Sequence, residues 1–355
     1  MAIPPIREGR LAVRVPNWLG DSVMAIPSIR GLAEAFPELQ VEVWCRPYLA
    51  DLWRMVPGVE QVFEAEDKGL SGPFRIALQL RKRRYQAALL MTKSWRTTLG
   101  VAMAGIPVRI GDRQGESRFL LTRTVDVPRN GHQVDRYLAL ASALGADLQL
   151  RPRGNLRIPP PTLNNILDRM NGVVPMAGST GAWVAIHPSA AFGNAKRWPQ
   201  DRYAILSETL VRKHGVRVVF IGAPNEEECG RFLAEHMDRH WPHGQWGLNL
   251  VGKTTLPELA AVIGQCDLAI GNDSGPMHLA SAIGTPVLTL FGPTKSEETG
   301  PWGEVGEVID LKLDCAPCMR RECPLDHGCM LGITPQMVVD RALRILAQSG
   351  APRAR

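Results

Sequence analysis

Short runs of aliphatic and β-branched residues alternate along this chain with longer runs in which apolar residues recur every three to four positions. In the first half the strand-like runs are LAVRV (11–15), QVEVWC (40–45), QVFEA (61–65), QAALLMT (86–92) and VRIG (108–111). Between the first two lies SVMAIPSIRGLAEAF, where Val23, Ile26, Ile29, Ala33 and Phe36 keep helical spacing. PFRIALQLRKRRY reads as a second helix, and VDRYLALASALG (134–145) as a closing helix stopped by glycine.

RPRGNLRIPPPT (151–162) has no periodicity and reads as a linker. After it the alternation resumes. Strands are expected at AWVAIH (182–187), VRVVFIG (216–222), LNLVG (248–252), DLAIG (267–271) and PVLTLFG (286–292). Helices are expected at RYAILSETLVRKHG, EEECGRFLAEHM, LPELAAVIGQC and PMHLASAIG. Strand–helix alternation of this kind predicts parallel sheets covered by helices on both faces. The expected fold is therefore α/β, with two domains at 1–155 and 156–355 facing a cleft. Ligands of open parallel sheets sit off the carboxyl ends of the strands, so the chemistry belongs in the loops that follow strands.

Composition narrows this picture. At 355 residues the chain is long enough for two domains, and no apolar run is long enough for a membrane span. The start, MAIPPIREGR, lacks the apolar stretch of a secretory signal. With seven cysteines, an odd number, this suggests a reducing cytoplasm. The net charge of +6 is unevenly placed: residues 1–155 hold 22 Lys+Arg against 15 Asp+Glu, and the remainder 19 against 20. A basic first half suggests an anionic partner, although its run RKRR (81–84) also reads as a solvated helix face. No nucleic-acid motif accompanies the charge, which disfavours a nucleic-acid partner.

Candidate chemistry concentrates in the second half. In DLAIGNDSGPMHLASAIG, Ser274 or Gly275 can cap a short helix with Pro276 at its first position and Gly284 at its end. The free N–H groups and dipole of such a helix suit a pyrophosphate, and Asp273 and His278 lie beside them. In HPSAAFGNAKRWP, Ser189 and Lys196 follow the first strand of this half. That lysine either neutralises a leaving phosphate or is an ordinary surface lysine. Glu226, just past the next strand, either accepts from ribose hydroxyls or is an acid favoured in a helix first turn. Neither a G-x-G-x-x-G turn nor a P-loop is present. Together these loops suggest a bound nucleotide-diphospho compound.

NWLGDSVMAIPSIRGLAEAFP, CRPYLADLWRMVPGVEQV, AKRWP, GAPNEEE and GNDSGPMHLASAIGTPVLTLFGPT resemble the bacterial lipopolysaccharide heptosyltransferases, glycosyltransferase family 9. PNWLGD, HQVDRYLAL and the cysteine loop lean to the heptosyltransferase II type, and the resemblance spans about residues 11 to 345. It implies a GT-B architecture of two Rossmann-like domains, the last helix packing back on the first. It implies an inverting, metal-independent enzyme without a cofactor, cytoplasmic or peripheral on the inner membrane. The donor is ADP-heptose, held by the C-terminal domain, and the acceptor the Kdo–lipid A inner core, held by the N-terminal domain. Carried over by motif, Lys196 meets the diphosphate and Glu226 the ribose. Asp273, Ser274, Gly275 and His278 contact the sugar-phosphate part, with Ser189 beside it. After HPS this chain has Ala190 and Ala191, where some members place a second hydroxyl, so the resemblance does not carry that one phosphate contact over.

An inverting displacement needs a base on the acceptor side, and Asp21, in the turn after the first strand, occupies that place. Asp is also a favoured helix cap. Pro27 lies six residues on, and a helix capped at Asp21 would hold it in the interior. A helix starting later avoids this and leaves Asp21 to act as base. Lys196 is then the second catalytic residue. Asn17, Trp18, Gly20, Arg113 and Arg118 are the candidate acceptor contacts. Cys315, Cys318, Cys323 and Cys329, with His327 adjacent, begin with a C-x-x-C resembling zinc spacing, but the later gaps depart from a zinc ribbon. A structural metal and metal-free thiols both stay open there. Two rival readings share the fold: a nucleotide-sugar 2-epimerase, which leaves the basic first half unexplained, and a non-catalytic sugar-nucleotide binder, which leaves Asp21 only a capping role.

Overall fold

The computed structural model describes residues 6–64, 69–148, 156–174, 178–303 and 306–348. Residue 65 of the expected third strand and residues 151–155 of the expected linker lie outside them. The chain divides into two compact units, Met1–Arg157 and Ile158–Arg355.

The first unit runs β1 (Gly9–Arg14), α1 (Leu19–Ala35), β2 (Leu39–Cys45), α2 (Ala50–Arg54), β3 (Val59–Glu64), α3 (Gly72–Arg81), β4 (Ala87–Leu90), α4 (Trp95–Met103), β5 (Val108–Asp112), β6 (Arg123–Val125) and α5 (Gln133–Ser142). Its six strands pair in parallel, in the order β3-β2-β1-β4-β5-β6. The central strands are buried on both faces, which is why they read as continuous apolar runs. The three-residue edge strand β6 is only half buried and leaves no such run.

Helix α1 corrects one expectation. It does not begin late: it starts at Leu19, carries Asp21 in its first turn and holds Pro27 inside. Trp18 is the cap residue, without a side-chain capping bond, so Asp21 does not cap the helix either. An interior proline costs about 3 kcal/mol. Val23, Met24, Ile26, Ile29 and Leu32 are all buried along this helix, each contributing roughly 1.5–3 kcal/mol, and together they outweigh that cost. The run RKRR is only partly a helix face. Helix α3 ends at Arg81; Arg83 pairs with Glu42 at 3.2 Å and lies 3.9 Å over the Phe63 ring.

The second unit runs α6 (Pro160–Asn171), β7 (Trp183–His187), α7 (Gln200–His214), β8 (Arg217–Phe220), α8 (Glu227–Asp238), β9 (Gly247–Asn249), α9 (Leu256–Gly264), β10 (Leu268–Asn272), α10 (Gly275–Ile283), β11 (Val287–Phe291), α11 (Ser296–Thr299), β12 (Gly306–Asp310), α12 (Gly328–Leu331) and α13 (Pro335–Gln348). The end of the expected linker is helical, because Pro160 and Pro161 occupy the first positions of α6, where a missing N–H is harmless. The sheet order is β12-β11-β10-β7-β8-β9, all parallel. Read from its other edge, this is the strand order of the first unit, the Rossmann order. In each unit the order reverses beside the first strand, between β1 and β4 and between β7 and β10. Helix α13 packs on α7 and β10, burying Val338, Val339, Ala342 and Ile345. No described helix is long and apolar enough to cross a membrane.

Candidate active site

The loops after β7 and β10, at the reversal point of the second sheet, bring most of the expected donor residues together. Helix α10 begins at Gly275 with Ser274 as its cap residue, so Pro276 stands at the second helical position rather than the first. The Ser274 hydroxyl makes no capping bond; Ser274 Oγ lies 2.9 Å from His187 Nδ1 instead. The other ring nitrogen, Nε2, is 3.2 Å from Glu226 Oε2. The buried His187, at the end of β7, thus ties the start of α10 to the start of α8. Glu226 also accepts the Ala223 N–H at 2.8 Å and a bond from Ser189. Burial opposes its charge, but His187, the Ala223 N–H and Ser189 together hold its carboxyl down from 4.5 to about 2.

A second network centres on Asp273, which is 5% exposed. Lys196, from the short 3-10 turn Asn194–Lys196, donates to Asp273 Oδ2 at 2.5 Å, and Thr294 Oγ1 donates to the same oxygen at 2.7 Å. His278 Nε2 lies 3.6 Å from Asp273 Oδ1. Burial works against ionisation here too, yet His278 and Lys196 hold the Asp273 carboxyl well below the usual range. The Lys196 ammonium also sits 4.8 Å over the Phe192 ring. Between the networks, the buried Asn272 accepts from the Trp198 N–H and the Tyr203 hydroxyl and donates to the Ser189 carbonyl. Ser189, Lys196, Glu226, Asp273, Ser274, Gly275 and His278 are therefore gathered by β7, β8 and β10.

His187, Asn272 and Thr294 are the residues the sequence reading missed. Each stands in a stretch already singled out: His187 two positions before Ser189, Asn272 directly before Asp273, and Thr294 at the far end of the stretch that opens with Gly271.

Glu226 gives a pH test. Its pKa is lower folded than unfolded, so folding favours the carboxylate. The stabilisation is full above pH 4.5 and fades as pH falls through about 2. Glu226→Gln should lower stability at neutral pH and flatten the fall in urea midpoint over that acid range. An acid limb identical to that of the parent protein would contradict the assignment.

The cysteine loop braces the Lys196 turn. The Arg321 carbonyl accepts the Ala195 N–H at 3.0 Å, and His327 Nε2 lies 2.7 Å from the Ala195 carbonyl. A Cβ on Gly193 would fall 2.3 Å from the Arg321 carbonyl oxygen. Gly193→Ala should therefore displace the turn, costing about 1–3 kcal/mol of stability, read by thermal melts. An unchanged melting temperature would show that the close approach to Arg321 does not hold the turn.

Cys315, Cys318, Cys323 and Cys329 line, with His327, a cavity of about 330 Å³. Cys315 and Cys318 are exposed, and Cys329 is buried. Burial, then the neighbouring thiols, push the Cys329 thiol up. Among the described residues, the group whose ligating atoms all lie within 4.8 Å is a different one, Glu208 of α7 with His236 of α8 and His240 just beyond it.

In the first unit, the turn after β1 is built around the buried Arg14, which donates to Asn17 Oδ1 at 2.7 Å and to the Val15 carbonyl at 2.7 Å. The Tyr48 hydroxyl donates to the Asn17 carbonyl. Trp18 is 58% exposed, and Gly20 and Asp21 are half-buried. Burial raises the phenols of Tyr48 and Tyr137, and the nearby Asp21 charge raises both further. Asp21, in the first turn of α1, is thus within electrostatic reach of both tyrosines. Arg113 and Arg118 follow β5 and are exposed, Arg113 pairing with Asp126 at 3.0 Å.

Two Rossmann-ordered parallel sheets, one with a polar network gathered at its reversal point, make this a two-domain α/β protein of the GT-B fold class. The model of glycosyltransferase family 9 (heptosyltransferase) matches residues 74–328, and the chain belongs to that family. It is 29% identical to lipopolysaccharide heptosyltransferase 2 of Escherichia coli K12, over 96% of this chain and all of that one. It is 28% identical to the Salmonella typhimurium protein of the same name, over 96% of this chain and 99% of the other. The solved E. coli ADP-heptose heptosyltransferase II superposes with a TM-score of 0.80 at 28% identity, over 96% of this chain and 99% of that one. The fold class and family expected from the motifs are both found.

Proposed function

We propose that this enzyme moves heptose from ADP-L-glycero-D-manno-heptose to the heptosyl-Kdo-lipid A inner core of lipopolysaccharide, with inversion. The relatives it matches end to end are heptosyltransferases of the second type. The observation that carries the reading within the chain is the buried network joining Lys196, Asp273, Ser274, His187 and Glu226 at the reversal point of the second sheet. This unit, residues 156–355, takes the donor: Glu226 meets the ribose, Ser189, Ser274, Gly275 and His278 the sugar-phosphate part, and Lys196 the diphosphate. The first unit, residues 1–155, takes the acceptor, with Asn17, Trp18 and Gly20 at the turn after β1 and Arg113 and Arg118 on the loop after β5.

In the displacement, the acceptor oxygen attacks the anomeric carbon and Asp21 takes its proton. The bond from that carbon to the β-phosphate oxygen breaks, and ADP leaves. Its charge is met by Lys196 and by the N-terminus of α10, so the reading needs no metal or cofactor. The enzyme works in the cytoplasm, at the inner-membrane face where a lipid-anchored acceptor is displayed. Incubation with ADP-heptose and defined inner-core acceptors, read by mass spectrometry, should give a product heavier by one heptose. Donor binding without transfer to any acceptor would favour a non-catalytic binder instead, and conversion of the donor without acceptor an epimerase.

A further inference from the structure

Helix α3 buries one face and leaves the other apolar as well. Ile76, Ala77 and Leu80 face inward, with Ile76 against Gly100 of α4. On the outer side Phe74 is 61% exposed, Leu78 65%, and Leu70, just before the helix, 87%. Phe74 and Leu78, four apart, share one face of the helix, and Leu70 lies in the turn that leads into it. Exposed Arg75, Arg81 and Lys82 flank it. Residues 69–86 contain five Lys+Arg and no Asp or Glu. Single exposed apolar residues need no explanation, but three close together on a helix and its leading turn, where the described exposed charged residues are all cationic, mark an interaction surface.

We propose that this face of α3 rests on an anionic lipid bilayer, with Leu70, Phe74 and Leu78 entering the interface and Arg75, Arg81 and Lys82 meeting the lipid headgroups. This is the chemistry of an amphipathic helix lying in a membrane surface. Charge selects the occupant. A second copy docked about a two-fold axis would set these cations against themselves, whereas an anionic headgroup layer complements every one. The inference deepens the functional reading and rests on it for its purpose: it holds the acceptor-binding unit where a lipid-anchored acceptor lies.

Co-sedimentation of the full chain tests it, with vesicles of equal parts phosphatidylglycerol and phosphatidylcholine against phosphatidylcholine alone. Binding is expected to the first and not the second, and to weaken with salt. Phe74→Ser/Leu78→Ser should lower partition about tenfold or more, and Arg75→Gln/Arg81→Gln/Lys82→Gln by roughly fivefold per cation removed. These positions are outside the catalytic and binding residues, so both variants should transfer heptose to a detergent-dispersed acceptor at the parent rate. Equal partition of parent and variants overturns the proposal, as does a parent dimer that the serine variant converts to monomer. If vesicle binding behaves as expected but no acceptor is ever glycosylated, the functional reading fails and the lipid surface stands. If transfer proceeds without vesicle binding, the reverse holds.

Discussion

Asp21→Asn should leave ADP-heptose binding intact and slow transfer by about 10²–10⁴-fold. The carboxylate is placed by a helix that the sequence argues against. Leu19 to Ala35 stay helical through Pro27 because the apolar side of α1 is buried, so Asp21 is fixed in the first turn. It does not serve as the cap residue, a position held by Trp18. Its charge is felt by Tyr48 and Tyr137. Asparagine keeps the size and the hydrogen-bonding capacity of the side chain but cannot take a proton at neutral pH. The variant should therefore melt close to the parent temperature, since an acid in a helix first turn contributes only about 0.3–1 kcal/mol through the helix dipole. Loss of turnover with stability and donor affinity preserved is the signature of a base. Full activity in a direct transfer assay would remove Asp21 from the mechanism, and a large fall in melting temperature would make its role structural.

Much of the fold was legible because both sheets are parallel. Buried parallel strands must be apolar throughout, so β1, β4, β7, β10 and β11 stand out from the helices between them. The edge strands β6 and β12 did not, since each packs on one side only and their residues stay mixed. Helix α4 was hidden by Thr97, Thr98 and Gly100, poor helix formers placed there by a Ser94 cap and close packing on α3. The local cost of Pro27 alone places the start of α1 too late, because it leaves out the burial that offsets it. In the donor unit the charged residues were visible as motif letters, but their pairing was not. That Lys196 holds Asp273, or that His187 links Ser274 to Glu226, depends on residues 39 to 87 apart in sequence being brought together by neighbouring strands. No periodicity records such a contact.

That pairing sets the second large effect. Asp273→Asn should destabilise the protein by about 3–5 kcal/mol, the usual result of removing one partner from a buried ion pair. The Asp273 side chain is 4% exposed and that of Lys196 12%, so water can do little to replace the lost charge. At roughly 2–4 °C per kcal/mol for a unit of this size, the melting temperature should fall by about 6–20 °C. Thr294 and His278 can still bond the amide, so the fall reports charge more than hydrogen-bond number. Removing both charges in Lys196→Met/Asp273→Asn should recover most of the loss, giving a large coupling energy in the double-mutant cycle. The donor supplies a second readout. In Asp273→Asn the lysine has no carboxylate to leave, so the diphosphate of ADP becomes its partner and ADP should raise the melting temperature more than in the parent. In Lys196→Ala that rise should shrink. If ADP protects all three variants equally, Lys196 does not meet the diphosphate, and the ion pair is a structural clamp between the turn after β7 and the start of α10.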